Sequence, residues 1–223
     1  MSTNILTSLK SGSIRSLVAA FIYFDVSFMI WVLLGPLANY ISSDFGLSAS
    51  QKGLLVGIPL LGGALVRIPM GILTDRWGPK RVGLLGMGLT AIPLAWSYLG
   101  SGTYHELLAV GLLLGIAGGS FAVALPLASR WYPPQHQGLA LGIAGAGNSG
   151  TVLASLLAPR VAEHVGWHAT MGLASFPLAA AFLLFLVLAK EPGRSPAKRL
   201  VAYLQPLTQK DTWYFNVFYS LTF

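Results

Sequence analysis

Cysteine is absent from this chain. Disulfides, thiol nucleophiles and Cys-ligated metals are therefore excluded. Charge is also scarce: 9% of residues are charged and only 7 are acidic. A soluble domain carries far more. No Ser-His-Asp constellation and no phosphate-cradling loop can be assembled from the residues present. His164 and His168 have the i, i+4 spacing of a metal pair, but Gly166 and Trp167 interrupt them and no third ligand is near. They read as a short solvated loop. Neither an enzyme, a cofactor nor a metal is expected.

Long apolar runs fill the space. Hydrophobic residues make up 54% of the chain, and the mean hydropathy is +0.67. Runs recur at Ser16–Tyr40, Lys52–Thr74, Val82–Gly100, Glu106–Ser129, Gly138–Pro159 and His168–Lys190. Each approximates the ~20 residues that cross a bilayer as a helix. The expectation is an all-α membrane protein with six transmembrane helices. The first run is too long for a signal-peptide core and lacks a cleavage site, so it should stay in place. The boundaries read as an amino terminus at 1–15, a six-helix bundle at 16–190, a polar and basic linker at 191–212, and the start of a seventh helix at 213–223.

The net charge of +7 is explained by position rather than by nucleic-acid binding. With the amino terminus placed in the cytoplasm, 11 of the 14 Lys and Arg residues fall on the cytoplasmic side, a strong positive-inside bias. Ser48–Gln51 and Thr103–Glu106 fit capping boxes at the starts of helices 2 and 4. A weak repeat is visible: Asp75, Gly78 and Lys80 recur as Glu163, Gly166 and His168, 88 positions on. Pro36–Leu37–Ala38 recurs as Pro126–Leu127–Ala128. Two three-helix units of opposite topology make an inverted 3+3 repeat, a common transporter construction. Small residues at every fourth position, Gly138, Gly142, Ala146, Gly150 and Ala154, predict a packing seam on helix 5. Gly111, Gly115 and Gly119 predict another on helix 4.

Arg67 is the most informative residue. It lies in the otherwise uncharged run from Gly53 to Leu73, where a cation costs about 2.5–3.5 kcal/mol on insertion scales. Such residues mark substrate paths. Gly63 and Gly71, one turn to either side, are expected to leave space around the guanidinium. A planar five-donor cation suits a small planar oxyanion. Asp25 is the only carboxylate deep within a helix, and it lies at a depth similar to that of Arg67. It is read either as the ion-pair partner of Arg67 or as a protonation site. Gly145–Gly150 spells G-x-G-x-x-G, but it sits in an apolar run without a preceding strand, so the dinucleotide reading fails. Asn148 within it either bonds a neighbouring helix or faces a cavity with Arg67.

The stretch Gly71–Arg81, with Gly71, Asp75, Arg76, Gly78, Lys80 and Arg81 at characteristic offsets, resembles the signature loop between helices 2 and 3 of the major facilitator superfamily. Gly62–Pro69, Gly118–Ala122, Gly142–Gly150 and Tyr23–Trp31 resemble helices 2, 4, 5 and 1 of its nitrate/nitrite porter family, in the bacterial assimilatory branch. The likeness covers the first half of the family's twelve-helix length, so a carboxy-terminal six-helix half is the implied partner. The resemblance implies that Arg67 binds the anion bidentately and Phe121 stacks on its flat face. Gly145 and Asn148 would line the site, and the loop would act as a conformational latch. A second substrate arginine would lie beyond Phe223. The arginine that many superfamily members carry inside helix 4 is missing, and Arg130 at its end is the nearest cation.

The expected function is uptake of nitrate, with nitrite as a further substrate, across a bacterial inner membrane by alternating access. Protons are the favoured coupling ion, through Asp25. The alternatives are a porter of another small anion or metabolite, and a truncated membrane partner protein that does not transport.

Overall fold

The computed structural model describes residues 5–100, 102–193, 202–203 and 205–222. The chain divides into two units, 1–193 and 194–223. The described residues of both units are helical and contain no strand.

The first unit holds α1 (Ile5–Lys10), α2 (Ile14–Trp31), α3 (Leu34–Phe45), α4 (Ala49–Trp77), α5 (Pro79–Gly100), α6 (Tyr104–Gly118), α7 (Phe121–Ser129), α8 (Gln137–Gly145), α9 (Gly150–Leu173) and α10 (Ser175–Leu188). Five stretches are long and apolar enough to cross a membrane: Ile14–Phe45, Ala49–Trp77, Pro79–Gly100, Tyr104–Ser129 and Pro134–Leu188. The last has 55 residues, roughly 80 Å as a straight helix, more than twice a bilayer core. It folds back at Gly166, whose φ of 81° and ψ of 162° are non-helical; the first four stretches are spans 1 to 4, and this one forms span 5 (134–165) and span 6 (167–188).

Contacts at the two ends of the bundle trace six passages. At one end, Tyr132 donates to the Leu9 carbonyl (3.2 Å) and the Lys190 amide donates to Ser16 Oγ (3.1 Å). At the other, Trp167 Nε1 donates to Asp44 (2.6 Å) and Tyr104 donates to the Gln51 carbonyl (3.0 Å). The chain therefore leaves the first end near Tyr132, turns at Gly166, and is back at that end by Lys190. Lys10, Arg15, Arg76, Lys80, Arg81 and Arg130 share the Lys190 end, which is the basic one.

Both expected capping boxes form. Ser48 accepts from the Gln51 amide while Gln51 accepts from the Ser48 amide, and Thr103 and Glu106 do the same. Each pair satisfies two otherwise orphaned donors.

The internal repeat extends to backbone conformation. Gly78 has φ 93° and ψ 150°, close to the values at Gly166, its match 88 positions on. Both glycines adopt a left-handed φ that strains any residue with a Cβ. They reverse the chain at opposite ends of the bundle. Spans 1 and 4 each break near mid-length, at Val32–Leu33 and Gly119–Ser120. Pro36 supplies no amide to the Val32 carbonyl, and the Gly35 amide takes it instead (2.9 Å). Asp75 pairs with Arg130 at the basic end. By the same repeat Glu163 meets Tyr40 at the other end, where the phenol is 3.4 Å from Oε1.

The glycine seam between spans 2 and 4 packs as expected. A Cβ added at Gly62 or Gly115 would overlap the facing backbone, so these helices touch backbone to backbone. The uniform four-residue seam expected on span 5 is corrected. Gly138 and Gly142 face open space, and Ala146 is exposed. The buried line runs Ala140, Ala144, Gly147, Gly150, Ala154, Ala158, Ala162. A 3₁₀ turn at Ala146–Ser149 has three residues per turn rather than 3.6. It shortens the spacing to three and shifts the phase of the buried face.

The second unit holds a 3₁₀ turn (Gln205–Thr208) and α11 (Lys210–Thr222). The seventh helix thus starts three residues before the expected Trp213. Within it, Trp213 Nε1 donates to the Leu207 carbonyl (2.9 Å). Residues 194–201 and 204 of the expected linker lie outside the described residues.

Candidate functional site

Arg67 sits mid-way along α4 and is half-buried. Its Nε donates to the Gly118 carbonyl (3.3 Å) at the end of α6, where the break in span 4 leaves carbonyls without their helical donors. Its Cζ lies 5.3 Å from the Trp31 ring centroid and 5.7 Å from that of Phe121, both within cation–π range. Among the described residues, neither terminal nitrogen has a protein partner. The two adjacent NH₂ groups of the guanidinium are thus unbonded among the described residues.

The space expected beside Gly63 is corrected: it is filled. The indole of Trp31 lies in a slot between Gly63 and Gly118, where added Cβ atoms would come within 2.9 Å and 2.5 Å of its ring. Trp31 Nε1 donates to the Pro59 carbonyl at 2.7 Å. Gly71 is the more open neighbour; a Cβ there would reach only Ala122, at 4.0 Å. The glycine before Arg67 admits an aromatic ring rather than a void, because an indole gains more by burial than a cavity does by staying open.

Phe121 packs on Phe24 (centroids 5.7 Å), Phe24 on Phe28 (4.2 Å), and Phe28 on Trp31 (4.9 Å). Four rings and one guanidinium therefore form a closed circuit. Three of the rings come from the Tyr23–Trp31 stretch of span 1. Sequence reasoning identified that stretch but gave no role to Trp31 or Phe24. The i, i+4 and i+3 spacing of Phe24, Phe28 and Trp31 was the available signal.

Asp25 does not pair with Arg67. Its Oδ1 accepts from Ser149 Oγ (2.5 Å), and Asp75–Arg130 is the only ion pair among the described residues. The cause is backbone packing. Gly147 and Gly150 of span 5 press directly on the Asp25 backbone, so Asp25 meets span 5 rather than span 2. Two glycines of the G-x-G-x-x-G stretch thus serve close helix approach.

Gly145 faces open space and is half-buried. Asn148 is exposed and its side chain bonds no helix among the described residues; its carbonyl accepts from Thr151 Oγ1 (2.9 Å). Both lie on span 5, the element that carries Ser149 against Asp25.

At the basic end, Asp75 and Arg130 join spans 2 and 4. Lys80 Nζ donates to the Leu186 carbonyl (2.8 Å), and its amide donates to Glu191 (3.2 Å). A Cβ at Gly78 would overlap the Glu191 carboxylate. The Gly71–Arg81 loop is thereby tied to the ends of spans 4 and 6, while Arg76 and Arg81 stay exposed. A separate cleft of about 490 Å³ at this end is lined by Ser11, Gly12, Ser13, Ile14, Arg15, Trp131 and Lys190. It lies at the helix ends, away from Arg67. His164 is exposed, and His168 stacks on Trp167 (3.4 Å). No group of three metal-ligating residues occurs among the described residues.

The sequence profile of the Major Facilitator Superfamily matches residues 19–223. A protein named "Nitrite extrusion protein" from Bacillus subtilis is 31% identical over 88% of this chain and 50% of its own length. The "Probable nitrate/nitrite transporter NarK2" of Mycobacterium tuberculosis is 34% identical, over 95% of this chain and 55% of its own. The "Probable nitrate/nitrite antiporter NarK1" of Thermus thermophilus is 32% identical, over 96% and 51%. The chain spans about half the length of the curated relatives it matches. The solved structure of the proton:xylose symporter XylE aligns with a TM-score of 0.59 at 13% identity, over 89% of this chain and 47% of that one. That likeness concerns the fold alone.

Proposed function

We propose a nitrate-porter function from one premise: this chain belongs to the Major Facilitator Superfamily. It is a multi-pass membrane protein. We read it as the substrate-binding amino-terminal half of a transporter that moves nitrate, with nitrite as a second substrate, by alternating access. A carboxy-terminal six-helix half is the partner that closes the site. Similarity to proteins named nitrate/nitrite transporters supports the substrate class.

One observation carries the reading. Arg67 offers two NH₂ groups that are unpartnered among the described residues, beside the rings of Trp31 and Phe121, at the middle of an apolar helix. Two parallel N–H donors match two oxygens of a trigonal oxyanion, and the Phe121 ring 5.7 Å from Arg67 Cζ supports stacking on its flat face. Asn148 and Gly145 complete the wall on span 5. The strong basic bias of the Lys190 end supports its placement in the cytoplasm of a bacterial inner membrane. The Asp75–Arg130 and Lys80–Glu191 contacts support a latch that holds span ends together during rocking.

An anion entering an inside-negative cell is opposed by about 2.3 kcal/mol per charge per 100 mV. Uptake therefore requires coupling. Asp25, a carboxylate bonded among the described residues only to the Ser149 hydroxyl, supports proton symport. Exchange for a second anion is the other reading, and one relative is named an antiporter.

The test is flux in proteoliposomes carrying the full-length gene product that contains these residues. Labelled nitrate should accumulate against an inside-negative potential when a proton gradient or internal nitrite is supplied. No movement of either ion under both conditions overturns the proposal.

A further inference from the structure

We infer that Trp31 is a positioning residue for Arg67, and that the anion meets the guanidinium end-on, through its two terminal nitrogens. The inference rests on the anion-porter reading above and deepens it.

A guanidinium presents two kinds of bidentate edge. One joins the two terminal nitrogens; the other joins Nε to one terminal nitrogen. Here Nε–H is spent on the Gly118 carbonyl at 3.3 Å. The side-on edge is thereby lost, and the end-on edge remains.

Trp31 holds this orientation. It is 5% exposed and anchored at three points. Its indole N–H donates to the Pro59 carbonyl at 2.7 Å, two turns before Arg67 on the same helix. The Nε1–Cε2 edge of its indole fits the gap left by Gly63 and Gly118. Its ring centroid lies 5.3 Å from Arg67 Cζ, and that of Phe121 lies 5.7 Å from the same atom. Gly118 thus has two duties: its carbonyl takes Nε–H, and its missing Cβ admits the indole. Any motion of Trp31 disturbs both restraints on Arg67.

An unrestrained arginine loses its rotamer freedom when a ligand binds, whereas a pre-fixed one has lost it already. Removing the restraint weakens binding and leaves transport of bound anion largely intact.

The experiment uses the full-length protein with Trp31→Ala, Trp31→Phe and Gly118→Ala. It reads nitrate KM and turnover in proteoliposomes, and solvent exchange of the Arg67 Nε–H by ¹⁵N NMR without substrate, assigned by its loss in Arg67→Lys. Trp31→Ala and Gly118→Ala should each raise KM about tenfold with turnover changed about twofold or less. Both should speed Nε–H exchange. Trp31→Phe keeps a ring in the slot and should recover most of the KM. An unchanged KM in Trp31→Ala, or Nε–H protection that survives it, overturns the inference. Should the wild-type protein move no nitrate, the porter reading fails, and exchange of Nε–H still decides whether Trp31 fixes Arg67.

Discussion

Asp25 accepts a 2.5 Å hydrogen bond from Ser149 across the seam between spans 1 and 5. Among the described residues, the one deep carboxylate is thus held by a neutral hydroxyl, and Arg67 has no ion-pair partner. Asp25→Asn keeps an acceptor for Ser149 and removes the titration. If Asp25 carries the coupling proton, this variant abolishes nitrate accumulation driven by a pH gradient while nitrate/nitrate exchange persists. Equal loss of both fluxes assigns Asp25 to packing instead.

Arg67→Lys retains the charge but replaces a planar fork with a point charge. It also removes the Nε–H bond to Gly118. Loss of one charge-assisted hydrogen bond, about 1.5–3 kcal/mol, lowers the specificity for nitrate by about 10- to 100-fold. Initial-rate uptake over a nitrate series measures it. An unchanged ratio of turnover to KM would remove bidentate recognition from the mechanism.

The Asp75–Arg130 pair is partly exposed on both sides, with side chains 28% and 21% accessible. Screening keeps such a pair weak. A double-mutant cycle with Asp75→Asn and Arg130→Gln should give a coupling of about 0.5–1 kcal/mol in thermal unfolding. A latch role adds a kinetic signature: each single variant should alter turnover more than KM. The exchanged pair, Asp75→Arg with Arg130→Asp, should recover part of the turnover.

Local signals carried well from sequence to structure. The capping boxes at Ser48 and Thr103 need only a hydroxyl and a carboxyl or amide three residues on, and both formed. The match of Gly78 to Gly166 reflects a backbone requirement, so it reappears in their φ values. Arg67 stood out because charge in hydrocarbon has few tolerable surroundings. What surrounds it was not legible, because those contacts join residues far apart in the chain. Trp31 reaches Pro59 and Gly118 only after spans 1, 2 and 4 have packed. Asp25 could be set at the depth of Arg67 by counting residues, but depth says nothing of azimuth. The partner of Asp25 was fixed by Gly147 and Gly150 on a different helix. The seam on span 5 was misplaced because a single 3₁₀ turn, invisible in a four-residue pattern, rotates everything before it.

Gly150 gives the most direct test of that packing. A Cβ there would overlap the Asp25 carbonyl and approach the Met29 amide at 2.9 Å. Both are backbone groups of a buried helix, so neither can swing aside. Gly150→Ala must push spans 1 and 5 apart, carrying Asp25 away from Ser149. The expected loss is about 1–3 kcal/mol, the usual range for overpacking, at its upper end because the obstacle is main chain. Gly88 is the control. It is also helical, but a Cβ there meets nothing within 4 Å. Gly88→Ala removes backbone freedom from the unfolded chain without a clash, and should stabilise by about 0.4–1 kcal/mol. Thermal unfolding of the two variants in one detergent should move in opposite directions. If Gly150→Ala is as stable as Gly88→Ala, spans 1 and 5 are not in backbone contact, and the placement of Asp25 against Ser149 falls with that contact.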